Sequence, residues 1–453
     1  MTELVERNRA IAGPRYSRWH APAAALAIHL SIGQVYAFSV FNEPLTHLIG
    51  VTQPAPDDWS LTTLGWVFST AIIVLGLSAA CFGRWAERVG PRQTAIVAAL
   101  CFGSGFLVAA FGIEAHLYSL LFLGYGVIGG CGLGLGYIAP ISTLIRWFPD
   151  RPGHATGLAI MGFGGGALIG APLAQRLIDL FATEVSVGVA ETFACMGVLY
   201  TGLMLLGAAN IKQPPPGWVP PQRPRETILG SQHSPPEAVT VGVAVRQPQF
   251  YLLCTILCLN VTAGIGVLGQ AAVMCRDMFP DVTPAGAAGF VGLLGLFNMA
   301  GRLIWSTISD QLGRRSTYAV FFGLGFCLYA LIPSMGQAGS IILFIASYAI
   351  ILSMYGGGFA TIPAYIRDVF GSHQVGAIHG RLLLSWSVAG LVGPAIVNYL
   401  RSAEISRGVP PAEAYGLIMY VMAGLLALGF LCNARMRPLA RSVWSREFPV
   451  SGS

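Results

Sequence analysis

Charged residues are scarce in this sequence: they occupy 10% of its 453 positions, whereas an ordinary soluble domain carries roughly 25%. The net charge of +6 is spread over many loops and forms no basic face, which excludes a nucleic-acid partner. The nine cysteines lack the spacing of zinc or haem sites, so we expect neither a metal nor a cofactor. Hydrophobic residues, in contrast, make up 54% of the chain, and this excludes a disordered protein.

Long apolar runs account for this excess. Twelve helices that each cross the hydrocarbon core with about 20 residues need roughly 240 positions, and 54% of 453 is about 245. The first run follows polar sequence up to Arg18 and lacks a cleavage pattern of small residues, so we expect it to be a retained helix. The pattern predicts an all-α integral membrane protein that spans the lipid bilayer at residues 21–45, 61–83, 93–113, 117–140, 155–181, 190–211, 250–274, 286–308, 316–334, 339–363, 378–400 and 414–433.

A polar break separates the sixth run from the seventh. Residues 212–248 contain the segments PPPGWVPPQRPR and SPPE, whose prolines cannot continue a buried helix. The break predicts two six-helix bundles, residues 1–211 and 249–453, joined by a solvated linker at 212–248. The second bundle would end in a polar tail.

Cations are unevenly divided between the two sides of the bilayer if each run crosses once. One side carries Arg7, Arg9, Arg15, Arg18, Arg84, Arg88, Arg92, Arg146, Arg151, Lys212, Arg223, Arg225, Arg246, Arg314, Arg315, Arg367, Arg435, Arg437, Arg441 and Arg446. The other side carries Arg176, Arg276, Arg401 and Arg407. Cytoplasmic loops are the ones enriched in cations, so we expect both termini and the linker to be cytoplasmic, in the plasma membrane or the inner membrane of a bacterium.

The two halves repeat each other at one constant offset in residue number. Six pairs of related residues share that offset, namely Glu87 and Asp310, Gly90 and Gly313, Arg92 and Arg315, Pro140 and Pro363, Gly157 and Gly380, and Gly170 and Gly393. Two residues at this offset are called repeat counterparts below. Parallel six-helix halves place a binding site between them near the bilayer midplane, reached alternately from either side as one half rocks against the other.

Two short loops carry an acidic residue, a glycine and then basic residues. They read GRWAERVGPR from Gly83 and STISDQLGRR from Ser306. Glu87 and Asp310 can pair across the interface between the halves or cap a neighbouring helix, and such contacts would hold an outward-facing state. Alternatively, the loops are short turns whose charges mark the cytoplasmic side. The gating candidates are Gly83, Glu87, Arg88, Arg92, Asp310, Arg314 and Arg315.

Arg302 is the most informative single residue. It lies several residues inside the eighth predicted span, where an arginine costs about 2.5–3.5 kcal/mol. None of the twenty acidic residues falls at comparable depth in a predicted span, so Arg302 indicates a site for an anion brought from outside. The repeat places Ala79 at the matching position, which sets this charge apart from the shared scaffold. The alternative is that Arg302 reaches the headgroups or pairs with Asp310.

Polar and aromatic side chains near this level complete a candidate pocket. Tyrosines and amides can donate hydrogen bonds to a carboxylate while their bodies exclude water. His29 is interpreted as the one histidine well inside a span, and it either carries a proton or bonds a backbone carbonyl. Arg381 begins the eleventh span and is expected to reach the headgroups. The pocket candidates are Gln34, Tyr36, Tyr137, Asn298, Tyr355 and Trp386, with Asn260, Gln270, Ser353 and Ser385 as further polar groups.

Five segments together resemble the major facilitator superfamily over nearly the whole chain and are more narrowly similar to the oxalate/formate antiporter family. They are GQVYAFSVFNEPL from residue 33, GLGYIAPISTLIRWFPDRPGHATGLAIMGFGGGA from 134, FNMAGRLIWSTISDQLGRR from 297, YGGGFATIPAYIRDVFG from 355 and SWSVAGLVGP from 385. The resemblance implies that Arg302, which matches the family's arginine in the eighth helix, binds the carboxylate of the substrate.

Two departures from the resemblance bear on the substrate. The oxalate exchanger has a lysine in the eleventh helix, and here that segment, LLLSWSVAGLVGP, has none. Animal monocarboxylate transporters have an aspartate one turn before the arginine, and here that residue is Asn298. One buried cation balances one negative charge, so a monoanion fits better than oxalate. Exchange and proton symport assisted by His29 both remain open.

The sequence therefore favours a secondary transporter of small carboxylates such as formate, oxalate, lactate or pyruvate, acting as a monomer. One alternative is a proton-coupled exporter of lipophilic cations, but that function calls for a buried acid facing the cavity. A second alternative is a membrane enzyme or sensor. It is disfavoured because the longest hydrophilic stretch is the linker and no nucleophile constellation is present, so we expect no enzymatic activity.

Overall fold

Twelve long helices dominate the computed structural model, which describes residues 11–53, 55–220, 239–268 and 270–440. Each helix is long and apolar enough to cross a membrane, which confirms the predicted all-α membrane fold. We number them α1 His20–Leu45, α2 Leu61–Val89, α3 Pro91–Glu114, α4 Tyr118–Trp147, α5 Pro152–Phe181, α6 Val189–Asn210, α7 Pro248–Leu268, α8 Pro284–Leu312, α9 Arg314–Gln337, α10 Ile341–Phe370, α11 Val375–Ser406 and α12 Tyr415–Ala434.

Local chemistry sets where several helices begin and end. Ser60 caps α2 through the Thr63 N–H, and its repeat counterpart Thr283 caps α8 through the Gly286 N–H. Gly90 ends α2 with φ of 91°, a backbone conformation that side chains with a Cβ rarely adopt. The repeat seen in the sequence thus extends to the helix caps.

The helix limits differ from the sequence-based ones in a consistent way. The tenth span was expected to end at 363, yet α10 continues past Arg367 to Phe370. Likewise α11 begins at Val375 instead of 378. The predicted limits stopped where the apolar run gave way to polar residues, whereas a helix continues through charges that find partners. The seventh span is interrupted, because α7 ends at Leu268 and a second helix follows at Ala271–Met278.

Two helices are wound irregularly over part of their length. In α1 the stretch Gly33–Phe41 is a 3₁₀ helix, and in α4 the stretch Phe122–Gly129 is a π helix. Gly33 lies against the α5 backbone, where an added Cβ would come within 2.5 Å of the Phe163 carbonyl oxygen. The tighter winding therefore begins at a close contact between α1 and α5, and it changes which side chains face the centre.

The first six and last six helices meet along two seams, α2 against α11 and α5 against α8. Small residues allow the close approach. At the first seam, a Cβ on Gly83 would lie 3.0 Å from the Ala377 Cα, and Ser387 Oγ donates to the Ile72 carbonyl at 2.8 Å. At the second seam, a Cβ on Gly157 would lie 2.7 Å from the Arg302 carbonyl oxygen.

One end of the molecule, here called the terminal face, carries residues 11–19, the loops after the even-numbered helices and the described parts of the predicted linker. The start of the linker packs there: Trp147 Nε1 donates to the Lys212 carbonyl at 2.7 Å, and the Ala12 N–H donates to the Gln213 carbonyl at 2.9 Å. Residues 212–220 are thus not a free spacer. The rest of the proline-rich segment and SPPE lie outside the described residues, and the division into two bundles at 212–248 stays a prediction.

Candidate functional site

Arg302 is fully buried in the middle of the molecule, with 0% of its surface exposed. Its Nε lies 3.4 Å from the Asn298 Oδ1, and its Nη1 lies 3.3 Å from the Ile160 carbonyl oxygen of α5. Both distances are longer than an ordinary hydrogen bond. Among the described residues, Nη2 has no partner, and no carboxylate lies within ion-pair distance of the guanidinium. The alternative of pairing with Asp310 is not observed, since Asp310 pairs with Arg314.

Two aromatic rings, one from each half, hold the guanidinium. The centre of the Phe163 ring of α5 lies 5.5 Å from the Arg302 Cζ, and that of Phe359 of α10 lies 5.1 Å away. Each cation–π contact contributes about 0.5–2 kcal/mol, comparable to the cost of the arginine's burial. The rings offset the cost without neutralising the charge, and the guanidinium stays able to attract an anion.

Gly164 of α5 leaves room for the Arg302 side chain. A Cβ added to Gly164 would lie 2.6 Å from the Arg302 Nε and 3.0 Å from its Cζ. Asn298 lies one turn earlier on α8 and is itself buried, and its contact orients Nε. The guanidinium is therefore positioned by the α5 backbone as well as by a residue of its own helix.

Further aromatic side chains extend from this centre. The Tyr137 ring of α4 packs 5.4 Å from Phe163 and 5.3 Å from Phe359, and Trp386 of α11 packs 5.7 Å from Phe359. The Tyr137 hydroxyl is buried without a hydrogen bond in the described part of the chain. A buried unpaired donor costs about 1–3 kcal/mol, so Tyr137 is positioned to donate to a bound polar group.

Tyr36 and Tyr355 complete the predicted aromatic set. Tyr355 of α10 is buried and lies close to Tyr36, Trp386 and Arg302. The Tyr36 hydroxyl and the Trp386 indole N–H face Tyr355 without well-formed hydrogen bonds. The structure thus brings together five of the predicted pocket residues, namely Tyr36, Tyr137, Asn298, Tyr355 and Trp386, around Arg302.

Other predicted polar groups have partners elsewhere. Gln34 lies under the Tyr200 hydroxyl, which donates to its Oε1 at 3.2 Å, because the 3₁₀ winding turns it toward α6. Ser353 accepts a hydrogen bond from the Trp305 indole at 3.1 Å. Gln270 bonds the Asn398 side chain at 2.6 Å. Asn260 packs against Gly358, and Ser385 approaches Cys254.

His29 of α1 is fully buried beside Tyr137, with ring centres 5.3 Å apart. Its Nδ1 lies 2.9 Å from the Ala25 carbonyl, and the Tyr137 carbonyl also lies close to the ring. A carbonyl can only accept, so Nδ1 carries the hydrogen in the neutral ring and Nε2 presents a lone pair. Nε2 forms no hydrogen bond in the described structure, so both interpretations of His29, carbonyl bonding and proton carriage, are compatible with this geometry.

A second histidine, nearer a helix end than His29, is also buried. His379 of α11 is also fully buried, and its ring centre lies 5.4 Å from that of Tyr137. His379 was missed because the eleventh span was expected to begin at 378. The helix begins about one turn earlier, at Val375, so His379 lies inside it. Phe163 and Phe359 were missed as well, although Phe163 is the repeat counterpart of the chosen Trp386 and the repeat could have found it.

The seam between α5 and α8 is closed at the terminal face by Asp310. Its carboxylate accepts from the Gly153 N–H at 2.9 Å and the His154 N–H at 2.8 Å, at the start of α5. It also pairs with Arg314 at 2.5 Å, and Arg314 in turn reaches Asp368 at 3.1 Å. An anion at a helix N-terminus is stabilised by the helix dipole, so Asp310 joins the two halves by capping.

Glu87 makes the matching contact at the other seam. Its carboxylate accepts from the Gly376 N–H at 3.1 Å, at the start of α11, and from Ser142 at 2.9 Å. Gly376 is the repeat counterpart of Gly153, as Asp310 is of Glu87. Arg146 pairs with Glu87 at 3.3 Å.

The remaining loop candidates are less engaged. Arg88 is exposed and Arg92 is half-buried, and neither forms an ion pair among the described residues. Arg315 donates to the Ala434 carbonyl at the end of α12. Arg381 donates to the Ala377 carbonyl one turn earlier at 2.9 Å.

Twelve membrane-crossing helices, repeated in two halves that meet at paired seams, define a membrane transporter. The chain belongs to the Major Facilitator Superfamily, whose sequence profile matches residues 24–394. It is 26% identical over 391 residues to the oxalate:formate antiporter of Oxalobacter formigenes, covering 83% of each chain. It is 24% identical over 442 residues to apicoplast pyruvate carrier 1 of Toxoplasma gondii, covering 85% of this chain and 77% of the carrier.

A solved structure shares the same fold. The proton:xylose symporter XylE bound to 6-bromo-6-deoxy-D-glucose superposes with a TM-score of 0.69, covering 93% of this chain and 96% of the symporter. The two sequences are 14% identical, so the likeness concerns the fold. The chain is accordingly a transporter by family.

Proposed function

We propose that this protein transports small carboxylate anions by alternating access, with Arg302 as the cation that binds the carboxylate. The observation that carries the proposal is the buried guanidinium with a free Nη2 edge and no carboxylate partner among the described residues. The similarity to the oxalate:formate antiporter and to the pyruvate carrier supports the same class of substrate.

The charge at the site favours a monoanion. Arg302 supplies one positive charge, and the neighbours that face it are aromatic or neutral: Phe163, Phe359, Tyr137 and Asn298. A carboxylate could take Nη2 of Arg302 and the free Tyr137 hydroxyl, leaving a short apolar body among the rings. Formate, lactate and pyruvate satisfy this arrangement, whereas the second charge of oxalate would lack a fixed partner.

His29 is the proposed proton carrier. A proton on Nε2 would add a positive charge close to Arg302, and an anion between the two groups would offset that repulsion. Proton and carboxylate would then bind best together, which favours symport. If His29 stays neutral throughout, the protein exchanges one anion for another.

The proposed path lies within one chain, since both seams and the Arg302 site are built from it, and the protein would act as a monomer. The described cations support an orientation with the terminal face in the cytoplasm. The host membrane would be the plasma membrane, or the inner membrane in a bacterium. The seams closed by Glu87 and Asp310 at that face would then belong to an outward-facing state.

Transport by the purified protein in liposomes tests the proposal. We expect counterflow of labelled formate, lactate or pyruvate, and a loss of about 10- to 150-fold with Arg302→Gln, the equivalent of about 1.5–3 kcal/mol for hydrogen bonds to a charged group. Arg407→Gln is the matched control, because its side chain is 70% exposed on the opposite face. Absence of uptake for every carboxylate, or equal uptake with Arg302→Gln, would refute the assignment.

An imposed pH gradient separates the two modes of coupling. If His29 carries a proton, a gradient drives net uptake in the native protein but not in His29→Gln, while exchange without a gradient persists in both. Equal behaviour of the two proteins under the gradient would assign His29 to carbonyl bonding alone.

A further inference from the structure

His379 is a buried histidine whose two ring nitrogens have no hydrogen bond among the described residues. It lies one turn into α11, fully enclosed, in the seam where Gly380 packs on the Ala79 backbone. A neutral imidazole always has one N–H donor and one lone pair. Leaving such groups unpaired costs about 1–3 kcal/mol, so the His379 side chain destabilises the closed seam by that order.

The equivalent position in the other half shows what a satisfied side chain does there. Thr156 is the repeat counterpart of His379, and its hydroxyl donates to the Pro152 carbonyl one turn earlier at 2.9 Å. It also contacts the Ala360 carbonyl across the seam at 3.3 Å. The fold therefore accepts a small self-bonding residue at this place, and packing alone does not require a histidine.

The surroundings of His379 offer no partner for a positive charge. From α1 it faces His29, and from α4 it faces Tyr137, whose hydroxyl is free. From α2, the backbone at Ala79 packs against the next residue, and the Glu87 carboxylate lies one turn toward the terminal face, bonded to Gly376. A proton on His29 would also repel a second cation on His379.

The other helices that contact α11 do not supply a partner for a charge on His379 among the described groups. The helices α7, α10 and α12 and the short helix Val241–Ala244 also contact α11. The titratable groups found on α7 beside α11 are thiols, with Cys254 near Ser385, two turns farther along the helix. Arg84 of α2 acts on Arg381, which lies two residues after His379 on α11. A proton on His379 would thus be an uncompensated buried charge in the closed state.

We propose that His379 is a proton-binding site that fills when the two halves part at the terminal face. Opening the seam between α2 and α11 exposes the ring to water, which hydrates the imidazolium and satisfies both nitrogens. Protons from the terminal side then bind the open state better than the closed one, and mass action shifts the population toward the open state. The site takes no other ligand than the proton.

The proposal rests on the alternating access of the proposed function but not on its substrate. One site that binds a proton in the open state alone changes the ratio of open to closed molecules by at most about tenfold per pH unit, within the range where imidazole titrates. Lowering the pH from about 8 to about 5 therefore favours opening, and the effect is independent of any carboxylate.

Hydrogen–deuterium exchange of the intact protein in nanodiscs without added carboxylate measures the opening. The reporters are peptides that cover residues 150–160 and 372–382, with rates corrected for the intrinsic effect of pH. In the native protein we expect protection at both seams to fall as the pH falls. The variant His379→Thr copies the residue of the other half and should keep the fold while its seams lose the pH dependence. His379→Gln is a second variant that retains polarity and size.

Controls identify the responsible histidine. His373→Thr removes an exposed imidazole from the loop before α11 and should behave as the native protein. His154→Gln removes the seam histidine that lies 3.0 Å from Thr307 and should also retain the pH dependence. The proposal is overturned if the native seams show no pH dependence, or if His379→Thr and His379→Gln keep it. A failure of carboxylate transport with this result intact would refute only the substrate assignment.

Discussion

Replacing Asp310 by asparagine is expected to loosen both seams of the terminal face. The native carboxylate accepts from two backbone N–H groups at the start of α5, those of Gly153 and His154, and it pairs with Arg314. An asparagine offers one acceptor oxygen, and its NH₂ group would face the second N–H donor. The substitution also removes the negative charge from the helix N-terminus.

The expected size follows from these contacts. Losing one hydrogen bond to a charged acceptor costs about 1.5–3 kcal/mol, and losing the anion at a helix start costs about 0.3–1 kcal/mol. Arg314 keeps Asp368 at 3.1 Å, so it is not left unpaired. We expect a shift of about 2–4 kcal/mol, the sum of these two losses, which is about 30- to 700-fold in the ratio of open to closed molecules. Glu87→Gln should shift it less, since Glu87 accepts from one backbone N–H.

The decisive reporter lies at the seam that was not altered. Asp310→Asn removes the acceptor of the Gly153 and His154 amides, so faster exchange there would follow from a local effect alone. If Asp310 and Glu87 jointly hold one closed state, the Gly376 amide at the other seam must also exchange faster in Asp310→Asn. Hydrogen–deuterium exchange at fixed pH, read from peptides over residues 372–382, measures this.

Asp281→Asn supplies the control for the loss of one negative charge, because Asp281 is exposed on the opposite face. It should leave exchange at Gly376 unchanged. Faster exchange confined to residues 153–154 in Asp310→Asn would refute the reasoning, since the carboxylate would then be a cap of α5 without influence on the closure of the second seam.

Two further substitutions probe the site and an outer loop. Gly164→Ala should weaken carboxylate binding about tenfold or more, because its Cβ would lie 2.6 Å from the Arg302 Nε. The control Gly295→Ala should leave carboxylate binding unchanged, because its Cβ would have no neighbour within 4 Å. The concentration dependence of counterflow measures both. Burial by itself raises the pKa of Asp58, but three backbone N–H donors of its loop outweigh that effect and lower it. Its stabilisation is present above the pKa of an unfolded aspartate, near 3.9, and is lost as the pH falls through the folded value. Asp58→Asn should therefore lower the apparent Tm by about 1–3 °C at pH 7, and by progressively less as the pH falls below that of the unfolded aspartate and through the folded value, as followed by thermal unfolding in detergent.

The helices were predictable because the bilayer imposes a length and a polarity that each segment carries by itself. The twelve spans are confirmed for that reason, and their ends were misplaced where charges are satisfied by tertiary contacts. Arg367 and Asp368 lie inside α10, and Asp368 is held by Arg314 from α9. A local sequence pattern contains no information about such a partner, so the predicted end of the tenth span fell a turn or more short of the end of α10.

The charged residue of the site could be predicted from the sequence, but some of the residues that surround it could not. Arg302 stands out in the sequence because an arginine in an apolar run is costly. Phe163 and Phe359 carry no comparable signal, since phenylalanine is the expected residue in any span. Gln34 illustrates a different limit: an α-helical projection of α1 cannot anticipate that the chain winds as a 3₁₀ helix from Gly33, with about three residues per turn.

The internal repeat separates the scaffold from the site. Where the two halves agree, as at Glu87 and Asp310, the side chains cap the opposite half and close the terminal face in the same way at both seams. A residue that only held the halves together would be free to occur in both. Arg302 and His379 do not repeat, because their repeat counterparts are Ala79 and Thr156. Both unpaired groups therefore sit where the halves differ, which is expected if binding required a departure from the shared scaffold.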